Sequence, residues 1–166
     1  LSACDWILRM TTDGEVEFGV VDKTCGPSLD LTTTPLSYND GNWHFVAAVY
    51  NAYHPAPCGH SGRIWIDGVL VQTTIWSTAE RTDAIEPARL YIGAQYDVND
   101  LGTGECFNWE GNLDEVAWWS RYLVPDNVAL IYGDGCATNL LDLPSINIDL
   151  EGWWRMGDTE GDSSVD

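Results

Sequence analysis

The chain reads as an all-β protein, an antiparallel jelly-roll β-sandwich with one short helix. Three observations predict this class. About eight short runs rich in β-branched and aromatic residues are spaced by Gly- and Asp-rich turns. Two Asp-Gly pairs, Asp13-Gly14 and Asp67-Gly68, stand between such runs as hairpin signals. A single stretch, PDNVALIY, carries helix signals: Pro125 suits a first helical position, Asp126 suits the positive helix end, and Gly133 or Gly135 supplies a left-handed stop. A helix of about two turns cannot hold itself, so Val128, Ile131 and Tyr132 must pin it to a sheet.

Taken in order, residues 5–10 and 15–21 form a first hairpin, and a short strand fits Leu29–Thr33 within a turn-rich segment. The run NWHFVAAVYN (42–51) is apolar on both faces and predicts a central strand. RIWIDGVLVQT predicts a second hairpin, and RLYIGAQ (89–95) another strand followed by a polar loop. In GNLDEVAWW, Leu113, Glu115, Ala117 and Trp119 fall on one face of an extended segment, with Asp114, Val116 and Trp118 on the other. EGWWRMGD (151–158) predicts a late strand, and residues 159–166 a polar tail or linker. The length of 166 residues, without internal repeats, suits one domain spanning 1–166.

Net charge is −19 and Lys23 is the only lysine, which argues against binding nucleic acid or an anionic membrane through charge. No apolar run is long enough to insert in a membrane. The acidity fits either carboxylates gathered around divalent cations or a surface suited to salty surroundings. The five cysteines lack C-x-x-C spacing and read as disulfides of an extracytoplasmic protein. Cys4 and Cys25 flank the first hairpin as a staple worth about 3 kcal/mol on the chain-entropy model. The expected framework is Cys4–Cys25 and Cys58–Cys106, with Cys136 left over. That second bridge also accounts better than a metal for the run His54, Cys58, His60.

DGNWHFVAAVYN, GRIWIDGVLVQT, RLYIGAQ and GNLDEVAWWSRYLVPDNVALIYGDG, in that order, resemble the laminin-G-like and pentraxin branch of the concanavalin-A-like lectin superfamily. The resemblance covers roughly residues 40–135, and WWRMGD is similar to the strand that closes such domains. The family's usual opening strands have no counterpart before Leu1, so the expectation is a sandwich lacking its first strands, completed by a further part of a longer chain or by a neighbour. Val124 stands where the family often has a Ser-type helix cap, so the helix should fray. The resemblance implies calcium (Ca2+) as a cofactor, with Gln95 and Asp97 matching pentraxin ligand positions, Asp5 near another, and Asp114 matching a laminin-G-type site. Asp97, Asn99 and Asp100 equally suit plain Asx turns.

Nine tryptophans point to carbohydrate, because indole faces pack on sugar rings. In Trp118-Trp119 and Trp153-Trp154 one member of each pair should be core and the other outward. These four and Trp109 are the candidate ligand contacts, while Trp43 and Trp65 are expected to fill the sandwich. Catalysis is not expected: Asp114 and Glu115 point to opposite faces and cannot form the close carboxylate pair of a retaining glucanase, and no serine-elbow or H-E-x-x-H motif occurs. The sequence therefore predicts a non-catalytic module, extracellular or displayed on a cell surface or virion, that binds a glycan or surface glycoprotein. The alternative is a structural module packing against other subunits of a surface assembly.

Overall fold

The computed structural model describes residues 6–20, 29–54, 59–76, 92–95, 107–136 and 138–156. Three strands, β1 (Trp6–Met10), β2 (Val16–Val20) and β3 (Leu29–Thr32), form an antiparallel sheet in the order β1-β2-β3. A second antiparallel sheet holds β4 (Val46–His54), β5 (Gly59–Ile66) and β6 (Val69–Trp76) in sequence order. Two short ladders follow: β7 (Ala94–Gln95) with β8 (Phe107–Asn108), and β9 (Val116–Trp119) with β10 (Leu150–Trp154). Helix α1 (Pro125–Tyr132) is the only α-helix among the described residues. The antiparallel, all-β architecture with one short helix is as the sequence predicts.

The second sheet is buried on both faces, and the alternation within β5 shows why. Ile64 and Ile66 join Val16, Phe18 and Leu31 between the two sheets. Trp65 points the other way, to Val49, Leu123 and Val128, where α1 covers the sheet. A third cluster, Leu140, Ile146, Leu150 and Trp153, lies under the β9–β10 pair, and Trp119 and Ile131 touch both of these last two. Apolar residues at both parities of one strand are the pattern of a strand covered on two sides.

The two Asp-Gly turns differ. Asp67 (φ 50°) and Gly68 (φ 76°) make the tight two-residue turn between β5 and β6, whose strands pair up to Ile66↔Val69. Asp13-Gly14 instead sits in a five-residue loop, because β1 and β2 pair only as far as Met10↔Val16. The Gly14 carbonyl there accepts from the Tyr38 N–H at 2.7 Å, and a Cβ at residue 14 would strike Ser37 and Asn39. Glycine thus serves two needs at this position, the left-handed backbone (φ 82°) of the hairpin turn and the close approach of Ser37 and Asn39.

Two strand starts are displaced from their expected places. The ladder of the central strand begins at Val46, not Asn42: Asp40 accepts from the Asn42 backbone and side chain, and Gly41 (φ 85°) turns the chain off the sheet. In the GNLDEVAWW segment, Glu115 has φ 51°, so regular alternation starts only at Val116.

Helix α1 has Pro125 at its first position and Gly133 (φ 54°) as its left-handed cap. Val124 offers no side-chain acceptor, but the Asn127 side chain reaches back to accept from the Val124 N–H at 3.2 Å, half of a capping box. Val124 is exposed, so replacing it removes no core packing. Val124→Ser is therefore expected to stabilise the protein by about 1 kcal/mol, read from the urea midpoint; an unchanged or lowered midpoint would contradict the capping account.

Candidate functional site

The β9–β10 ladder sorts the tryptophans. Trp153 pairs with Ala117 and Trp119 with Leu150, while Gly152 lies across from Trp118 and Trp154 from Val116. A bulge between Leu150 and Gly152 puts Leu150 on the same side as Trp153. One face, with Ala117, Trp119, Leu150 and Trp153, thus belongs to the core. Trp119 donates its indole N–H to the Ile146 carbonyl at 2.7 Å. Trp153 is only 2% exposed and donates to Glu115 Oε2 at 2.6 Å. Trp153, one of the expected ligand contacts, is corrected by its burial, and Trp119 by its place between two core clusters. Both hold the framework.

The other face carries Trp118 and Trp154. Trp118, 37% exposed, stacks on Trp6 of β1 with ring centroids 4.6 Å apart and planes 5° from parallel. The Trp154 ring lies over Gly152, where any Cβ would run into it, and so fills the place beside Trp118 that a side chain at 152 would take. Trp6 and Trp118 thus form a stacked aromatic pair where β1 meets β9, and Trp154 lies on the same face of the β9–β10 ladder. Trp6 is 40% exposed, and no local signal points to it because its partner lies 112 residues away along the chain.

Trp109 is exposed at the end of β8, with its backbone N–H donating to the Gly93 carbonyl and its indole over Gly111. Trp43, expected to fill the sandwich, is 68% exposed, because the turn at 40–42 holds it off the sheet. Among the described residues no ring contact joins Trp43 or Trp109 to the Trp6–Trp118 pair.

The carboxylates play local parts. Glu115 accepts from Trp153 through one oxygen and from Arg155 Nε (3.3 Å) through the other. Asp114 is exposed and accepts from the Glu115 N–H at 2.8 Å. Among the described residues no group of three or more His, Cys, Asp or Glu side chains is arranged to hold a metal ion. Of the expected calcium ligands, Asp5 and Asp97 lie outside the described residues and Gln95 is described only in its backbone. Cys4, Cys25, Cys58 and Cys106 also lie outside them, while Cys136 is exposed and unbonded.

His44 sits between two carboxylates, its Nδ1 2.8 Å from Asp67 Oδ2 and its Nε2 3.1 Å from Asp40 Oδ1. Asp67 also accepts from the Phe45 N–H, so this cluster ties the 39–45 segment to the β5–β6 turn. The Asp67 bond, against the opposing effect of burial, raises the His44 pKa above its ordinary value. The hydrogen bonds from Asn42 lower Asp40 to about 2. A raised histidine stabilises fully below its unfolded value near pH 6.5 and loses that contribution as pH climbs through the folded value. The Asp40 contribution is present above its unfolded pKa of about 4 and is lost as pH falls towards its folded value.

With the geometry in view, the sequence profile of the concanavalin A-like lectin/glucanases superfamily, in its laminin-G form, matches residues 2–129. The chain belongs to that family. No curated protein matches it. Among solved structures it is similar to residues 221–444 of an S-layer domain-containing protein from Clostridium thermocellum, at 18% identity and a TM-score of 0.44. That alignment covers 76% of this chain and 55% of the other, little more than half of it. No helix among the described residues is long and apolar enough to cross a membrane.

The thermal midpoint is expected to fall from pH 6 to pH 8 as His44 loses its proton, and His44→Gln should flatten that fall. An identical slope in the variant would remove His44 as its cause.

Proposed function

We propose that the chain is a non-catalytic recognition module, displayed outside the cell or on a particle surface, that binds carbohydrate through exposed indole faces. The observation that carries this reading is the Trp6–Trp118 stack, with Trp154 on the same face of β10, an aromatic surface held in place by strand pairing on both sides. Rigid aromatic surface lets a sugar ring pack without ordering a loose side chain first. A non-catalytic role is supported by Glu115, whose two oxygens are taken up by Trp153 and Arg155.

One observation favours the assembly reading beside it. Leu8 lies directly across from buried Phe18, on the core face of its sheet, yet it and Trp6 are exposed at β1, an outer strand of that sheet. Apolar residues at an edge suit a neighbouring strand or subunit.

A glycan-array screen, run once with millimolar calcium and once with chelator, tests both readings and the calcium expectation at Asp5, Gln95, Asp97 and Asp114. Binding is expected, with Trp118→Ala weakening it by about tenfold or more while the protein stays folded. Binding lost with chelator would support the calcium-dependent form. Silence in both conditions from folded protein, together with concentration-dependent oligomers in light scattering, would favour the assembly module instead.

A further inference from the structure

Arg63 stands apart among the described arginines. Arg9 forms a forked pair with Glu17, Arg155 meets Glu115, and Arg121 donates to the Ser145 carbonyl. Among the described residues Arg63 reaches neither a carboxylate nor a carbonyl. Its Nη1 donates to the Tyr122 hydroxyl at 2.5 Å, and its guanidinium carbon lies 5.9 Å from that ring's centroid. In a chain with 26 acidic and 7 basic side chains, a half-buried arginine with no described acid beside it is a selective arrangement.

A second oddity lies on the same face. Ser61 is two residues earlier on β5, where the pairing with β4 runs without a break from Asn51↔Ser61 to Val49↔Arg63. Its side chain therefore points the same way as that of Arg63. Ser61 is 2% exposed, and its hydroxyl has no hydrogen-bond partner among the described residues. Buried hydroxyls are nearly always bonded, so an orphan needs an explanation. The Tyr122 oxygen accepts from Arg63, which leaves its own proton to be given away.

We propose that Arg63, Ser61 and Tyr122 hold a ligand carboxylate. All three offer donors, and a carboxylate is an acceptor on both oxygens that matches the guanidinium fork. The ligand would be an acidic sugar residue, with Ser61 at the floor of the site and Arg63 and Tyr122 at its rim. The sugar rests on the carbohydrate reading above; the carboxylate rests on these three residues alone.

The test is an NMR titration of the arginine Nε–Hε signals in the whole chain with methyl β-D-glucuronide. The expected result is a saturable shift of the Arg63 signal, with no shift from methyl β-D-glucoside. Arg63→Lys should weaken binding about tenfold or more, and Ser61→Ala several-fold, with melting curves confirming that both fold. No saturable shift in the unaltered protein, equal binding of the neutral glucoside, tighter binding of N-acetylglutamate, or unchanged affinity in both variants would each overturn the proposal. Trp118→Ala should leave this titration unaltered. Array binding lost with the Arg63 shift retained would count against the Trp118 surface only, and the converse against this site only.

Discussion

The structure depends on one constraint: β5 must be covered on both faces. Ile64 and Ile66 need the β1-β2-β3 sheet, and Trp65 needs α1 and the residues leading into it. Large apolar side chains at successive positions of a strand cannot be left in water without forfeiting roughly 1.5–3 kcal/mol each. The short helix is therefore a lid required by Trp65 and Val49, and Val128, its most buried residue, is the contact that holds it there. This explains how a helix with half a capping box persists.

Trp119 carries the constraint outward. It touches both the cluster under α1 and the cluster under the β9–β10 pair, and its N–H on the Ile146 carbonyl ties in the loop before β10. Once Trp119 faces inward, strand geometry forces Trp118 outward, where it meets Trp6. The bulge at Glu151 lets Leu150 and Trp153 share the core face, and Gly152 leaves room for the Trp154 ring outside. Framework and candidate contact surface are thus two sides of one ladder. The superfamily to which the chain belongs includes both lectins and glucanases, so the site must be argued from such particulars.

Much of this was legible in the sequence. The double-faced central sheet, the Asp67-Gly68 turn, the helix from Pro125 with its glycine stop, and the split of each tryptophan pair all follow from local periodicity and turn chemistry. What was not legible depends on long-range contacts. Trp43 looked like core because it precedes an apolar run, but the Asp40 turn and the Asp67 bond to Phe45 keep that segment off the ladder. Glu115 looked like a regular strand residue, and its left-handed backbone together with its bonds to Trp153 and Arg155 became visible only in three dimensions. Trp6 and Arg63 carry no local signal, because their partners Trp118 and Tyr122 lie 112 and 59 residues away.

The β9–β10 ladder divides its tryptophans into a core face and an outward face, the latter the candidate contact surface. Indole N–H signals followed by NMR in deuterated solvent, without and then with a bound oligosaccharide, test it most directly. The Trp119 and Trp153 signals should exchange slowly and stay in place when sugar is added, while those of Trp6 and Trp118 exchange quickly and shift. Rapid exchange at Trp119 and Trp153, or sugar-induced shifts confined to them, would contradict the division.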